Sequence, residues 1–128
     1  MTEPVRVETT KVDPVLREVL SPKALNVLRT VLAYGELGRR HSEELESAKE
    51  EVFSEDDWVW ACADGTGYVR ALLIDDDAIA QYSAEELEDV ISDVLIEASE
   101  RGKATGMEIM ERQQQASAEF FEQVKDLI

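Results

Sequence analysis

From Ser83 to Leu127, apolar or small side chains return every three or four positions: Leu87, Ile91, Val94, Ala98, Thr105, Ile109, Ala116, Phe120, Val124 and Leu127. That spacing keeps them on one side of an α-helix. Ser83 followed by Glu86 is a capping box, which satisfies two N–H groups that a helix start otherwise leaves without partners. At 1.5 Å per residue, a helix over 84–127 is about 65 Å long. A compact globule of 128 residues is only about 30 Å across. The far half of the helix must therefore lie against the first helix, a second copy of the chain, or itself after a break. A second copy is the favoured partner.

Two further helix starts stand near the N-terminus. Asp13-Pro14 and Ser21-Pro22 each place a side-chain acceptor at the cap and proline at the first helical position, where a missing N–H costs nothing. The first helix is short, with Val15, Leu16, Val19 and Leu20 on one face. The second follows Leu25, Leu28, Val31, Leu32, Leu37, His41, Leu45, Ala48 and Val52 over roughly 30 residues. Gly35 and Gly38 weaken its middle, each by about 1 kcal/mol relative to alanine, which leaves its continuity there open. Residues 1–12 carry no periodicity and are expected to be mobile.

After Val52 the period becomes two. Trp58, Trp60 and Cys62 alternate with Val59, Ala61 and Ala63; Tyr68, Arg70, Leu72 and Ile74 alternate with Val69, Ala71 and Leu73. Asp64-Gly65-Thr66-Gly67 joins the two runs as a hairpin turn, with Gly67 suited to a G1-type bulge. Glu51–Ser54 adds a third, weaker strand. The predicted fold is α+β: one domain over 13–128, with a helical arm (13–53), a hairpin core of small antiparallel sheet (54–75) and a long C-terminal helix (84–127).

The same turn resembles part of a calcium loop. Aligned on Gly67, however, the first, third, fifth and twelfth positions hold Cys62, Asp64, Thr66 and Leu73, and neither end supplies a carboxylate. Asp75, Asp76 and Asp77 read as a solvated loop before a helix. Cys62 is the single cysteine, a packed thiol, and His41 the single histidine, on a helix face. No catalytic constellation, cofactor motif or metal-ligand set emerges. Gly102 and Gly106 mark either a backbone packed closely on the helix or a bend. Trp58 and Trp60 share a strand face and are candidates for a partner interface, with Ile109, Phe120 and Val124 on the long helix. No apolar run reaches the roughly 20 residues of a membrane span, and the N-terminus has no signal-peptide pattern. A cytoplasmic protein is expected.

Helix, small sheet and long helix in this order resemble the YbaB/EbfC family of small bacterial proteins. The resemblance rests on the hairpin from Val59 to Asp75 and the following "SAEELEDVISDVLIEASERGKA", and covers about residues 50–115. It implies a homodimer whose sheets pack together while helices project, a nucleoid-associated DNA-binding role, and no catalytic residues. The residues Arg39, Arg40, Arg101 and Lys103 are the candidate DNA contacts. The net charge of -16 opposes phosphate and supports the alternative, an acidic protein-binding adaptor or chaperone-like dimer, such as accompanies secretion systems.

Overall fold

Both proline-led helix starts are realised in the computed structural model, which describes residues 3–127. Asp13 caps α1 (Pro14–Val19) by accepting from the Val15 N–H at 2.9 Å. Ser21 precedes α2 (Pro22–Ser47), and the Ala24 N–H donates to its hydroxyl at 3.1 Å. α2 runs unbroken through Gly35 and Gly38. It buries Ala33 and Leu37, whereas Val31 and Leu32, expected on the inner face, are exposed. The remaining elements are β1 (Glu50–Phe53), β2 (Val59–Ala63), β3 (Val69–Ile74), α3 (Asp76–Gln81) and α4 (Ala84–Leu127). The fold is α+β, with a three-stranded antiparallel sheet in the order β1-β2-β3. Helical structure in the arm ends at Ser47, because the residues after it pair as β1, Glu50 opposite Ala63 and Phe53 opposite Trp60.

Two local starts follow from side-chain acceptors. The Asp75–Asp77 run, expected as loop, opens α3. Asp75 caps it by accepting from the Asp77 N–H at 2.8 Å, and Asp76 and Asp77 lie in its first turn, where the helix dipole favours carboxylates. At α4 the capping box closes as expected: the Glu86 N–H donates to Ser83 Oγ at 3.1 Å, and the Ser83 N–H to Glu86 Oε1 at 3.2 Å.

The chain divides into two units, one of residues 1–42 with 111–128, the other of residues 43–110. In the second, the inner face of the sheet (Val52, Val59, Ala61, Ala63) packs on Val94 and Ala98 of α4, flanked by Leu87 and Ile91. The alternation expected along β3 is interrupted. Cys62 pairs with Ala71 but Ala63 with Val69, leaving Arg70 as an extra residue. The bulge turns Val69 and Ile74, expected on opposite faces, toward the same core.

In the first unit, Phe120 packs with Ala33, Leu37 and Val7, and Val5, Val124 and Leu127 complete the cluster. The end of α4 is thus covered by α2 and the N-terminal segment of the same chain, where a second copy was expected. Nor is that segment without a place. Val7 is fully buried, its N–H donates to Gln123 Oε1 at 3.1 Å, and Gln123 Nε2 donates to the Val5 carbonyl at 3.3 Å.

The inward stripe of α4 repeats as 87, 91, 94; 98, 102, 105; 109, 113, 116; 120, 124, 127, and none of these residues is exposed. An eleven-residue repeat is 3.67 residues per turn, close to the natural 3.6, so one side of the helix faces inward along its whole length. Gly102 and Gln113 are the two members that apolar periodicity does not reveal. Gln113 donates from Nε2 to the His41 carbonyl at 3.0 Å.

Gly102 receives the hairpin turn. Of the two roles open to Gly102 and Gly106, close backbone packing is the one found. A Cβ on Gly106 would overlap the Gly65 carbonyl, and one on Gly102 the Asp64 carbonyl. The turn is held there by Ser99 Oγ, donating to the Gly67 carbonyl at 2.8 Å, and by the Gly65 N–H, donating to the Leu45 carbonyl at 2.8 Å. Gly67 itself has φ +85°, as a G1 bulge requires. Gly35 and Gly38 meet no atom within 4 Å of such a Cβ. Gly106→Ala is therefore expected to lower the unfolding free energy by about 3 kcal/mol through overpacking. Gly35→Ala and Gly38→Ala should each raise it by up to about 1 kcal/mol. Urea unfolding of the three variants measures the contrast.

Candidate functional site

Because β1, β2 and β3 are in register, Phe53, Trp60 and Leu73 form one row across the sheet. They point away from the core face. Phe53 is 54% and Leu73 65% exposed, high for large apolar residues at adjoining positions of one face. The next row, Glu51, Cys62 and Ala71, has small residues on β2 and β3. Trp58 lies just before β2, where its carbonyl accepts from the Asp75 N–H at 2.7 Å, and its ring meets that of Tyr82 edge-on at 5.7 Å. Both tryptophans line one open groove of about 600 Å³, with Phe53, Leu73 and Ile74, and with Glu51, Asp57 and Asp75 as its carboxylates.

At the turn, Asp64 performs a structural task. It is fully buried, and its carboxylate accepts from the Thr66 N–H (2.8 Å), the Thr66 hydroxyl (2.5 Å), the Tyr68 N–H (3.3 Å) and Arg70 Nε (2.7 Å). Burial opposes its charge, but these donors together outweigh burial and hold the carboxyl below its ordinary value. The calcium-like motif is therefore a turn whose central carboxylate is saturated by donors from its own loop and from the bulged Arg70. Among the described residues no group of three or more His, Cys, Asp or Glu side chains is placed to hold a metal ion.

The four cations singled out as DNA contacts are largely engaged. Arg39 donates from Nε to Glu36 Oε2 at 2.9 Å, and Arg40 from Nε to Glu36 Oε1 at 3.0 Å; Arg40 also reaches the Glu3 carbonyl. Arg101 pairs with Glu97 at 2.7 Å. The stem of Lys103 lies over Gly67, where a Cβ would come within 2.6 Å of its Cγ. Arg39 and Arg40 belong to one unit, Arg101 and Lys103 to the other. Of the interface candidates on α4, Ile109 and Phe120 are buried and Val124 packs beside Phe120, so all three serve the chain's own interior. Trp58 and Trp60 remain half-exposed.

Charge divides sharply between the units. Residues 1–42 and 111–128 contain nine acids and nine bases and are neutral; residues 43–110 contain twenty acids and four bases, the entire -16. Alternation in the sequence pointed to Trp60. Its neighbours Phe53 and Leu73 needed the strand register, and the pairing of Arg39 and Arg40 with Glu36 is legible only as i,i+3 and i,i+4 spacings among many.

Asp64→Ala strips four donors of their acceptor and is expected to cost about 3 kcal/mol in thermal or urea unfolding. Since the folded carboxyl lies below its ordinary 3.8, its stabilisation is present above that pH and is lost as pH falls further. Asp64→Asn should therefore flatten the acid limb of the stability profile. The hydrogen bonds from Arg39 and Arg40 lower Glu36 from 4.5 to about 2. Its carboxyl carbon resonance should titrate near 2, and return toward 4.5 in Arg39→Ala/Arg40→Ala, with any contribution to stability fading as pH falls from 4.5 toward 2. No matching protein-family model, curated protein or solved structure was found for this chain.

Proposed function

We propose that this chain is a non-catalytic interaction protein, an acidic adaptor that works by holding a protein partner. The observation that carries this reading is the confinement of the whole -16 charge to residues 43–110, the unit that also carries the open row Phe53, Trp60 and Leu73. Such a surface repels phosphate and retains apolar area for a protein. Engagement of Arg39, Arg40 and Arg101 by carboxylates supports the same reading, because each cation must leave a carboxylate before it can replace a counterion on DNA. Self-association belongs to the proposal and falls to the neutral unit, whose exposed Val15, Leu16, Val19 and Val31 face no net repulsion between copies.

A second reading, the nucleoid-associated DNA-binding homodimer implied by the YbaB/EbfC resemblance, is favoured by one observation. The neutral unit holds nine of the thirteen bases, Arg39 and Arg40 among them, so it presents no net charge that opposes phosphate. A gel shift with duplex DNA separates the two. With micromolar protein at about 50 mM salt, where electrostatic binding is strong, the adaptor reading expects no retardation. A salt-sensitive shift that Arg39→Ala/Arg40→Ala abolishes would overturn it in favour of the second.

A further inference from the structure

The geometry points to a cationic amphipathic segment of a partner protein as the occupant of the outer sheet face, an inference that rests on the adaptor reading. The floor is the row Phe53, Trp60 and Leu73, one residue from each strand, and the groove over it also takes in Trp58. Every titratable group lining the groove is a carboxylate: Glu51, Asp57 and Asp75. Next to these in sequence stand Glu55 and Asp56 in the β1–β2 turn and Asp76 and Asp77 in the first turn of α3. Of the four bases in this unit, Arg70 is tied to Asp64 at 2.7 Å and Arg101 to Glu97 at 2.7 Å, Lys103 lies over Gly67, and Lys49 stands just before β1 and is not among the residues lining the groove.

Charge complementarity then selects among occupants. A second copy placed face to face would bring Glu51, Asp57 and Asp75 toward their own counterparts, with no base in the groove to meet them. Like charges so juxtaposed oppose association. A helix or strand with large apolar residues on one side and Lys or Arg at its margins satisfies floor and rim together. Nucleic acid brings the wrong sign of charge to this rim.

The protein carries its own probe, since both of its tryptophans line this groove. The test titrates the full chain with a synthetic peptide of about 18 residues, five helical turns, having leucine on one face and lysine on the other. A glutamate twin and a scrambled lysine peptide of equal composition serve as controls. The expected result is a blue shift of tryptophan emission with the amphipathic lysine peptide alone. Affinity should fall about fivefold or more in Leu73→Ser, and by a similar factor in Glu51→Lys. Both positions are exposed, and circular dichroism verifies that each variant folds.

Three results would overturn the inference: no emission change with the lysine peptide, equal binding of the glutamate twin or scrambled peptide, or binding indifferent to Leu73→Ser. A blue shift that grows with protein concentration alone, with a dimer by sedimentation that Leu73→Ser dissolves, would assign the face to a second copy instead. DNA retardation dependent on Arg39 and Arg40 is a separate result, which removes the adaptor reading itself.

Discussion

The sheet-bearing unit depends on one contact: the peptide backbone of the Asp64–Gly67 turn resting on α4 where Gly102 and Gly106 present no side chain. Packed layers are ordinarily held apart by the side chains between them, as in stacked sheets about 10 Å apart. Here the gap closes to backbone contact at one end, and residue sizes follow. Along α4 the inward positions grow from Gly106 and Gly102 through Ala98 and Val94 to Ile91 and Leu87. Along the hairpin they grow from Gly65 through Ala63 and Ala61 to Val59. That is the filling a wedge-shaped space requires at interior packing density. A larger residue near the narrow end would force the turn off the helix.

The same contact explains why a carboxylate is buried at the turn. Pressed against α4, the turn buries Asp64 fully, and its carboxylate accepts from the N–H groups of Thr66 and Tyr68. Its remaining oxygen takes Arg70 Nε. Arg70 is the residue that β3 bulges to accommodate, so turn, ion pair and bulge form one unit of structure. The bulge then returns both Val69 and Ile74 to the inner face. With the inner face complete, Phe53, Trp60 and Leu73 are left outside.

Helix starts were the most legible part of the sequence, because a cap is a local arrangement of an acceptor and an N–H a few residues on. Asp13, Ser21 and Ser83 needed nothing from the rest of the chain. Positions whose roles come from distant partners were less legible. Gly102 and Gln113 belong to the buried stripe of α4 yet carry no apolar signal, since one meets a turn and the other a carbonyl on α2. The seating of Val7 depends on Gln123, 116 residues away, and no local pattern announces it. On α2, apolar spacing alone placed Val31 and Leu32 inside. The face centred on Ala33 and Leu37 is instead the one that meets Phe120 and Val7. The candidate site was half legible: alternation marked Trp60, but three-strand register is needed to set Phe53 and Leu73 beside it.

Charge and apolar surface on the outer sheet face reinforce one another. At the edge of an apolar floor, water is displaced from around Glu51, Asp57 and Asp75 when the groove is covered, and a cation brought there acts at a lower effective dielectric than on an open surface. Screening over a Debye length of about 10 Å at 0.1 M salt blunts long-range attraction to any basic body, yet leaves pairs at the groove margin largely intact. A purely acidic surface would attract cations without discrimination, and a purely apolar one would favour its own copy. On the proposed adaptor reading, the combination suits a partner that presents both kinds of group at the same spacing, and the row Phe53, Trp60 and Leu73 then selects as well as binds.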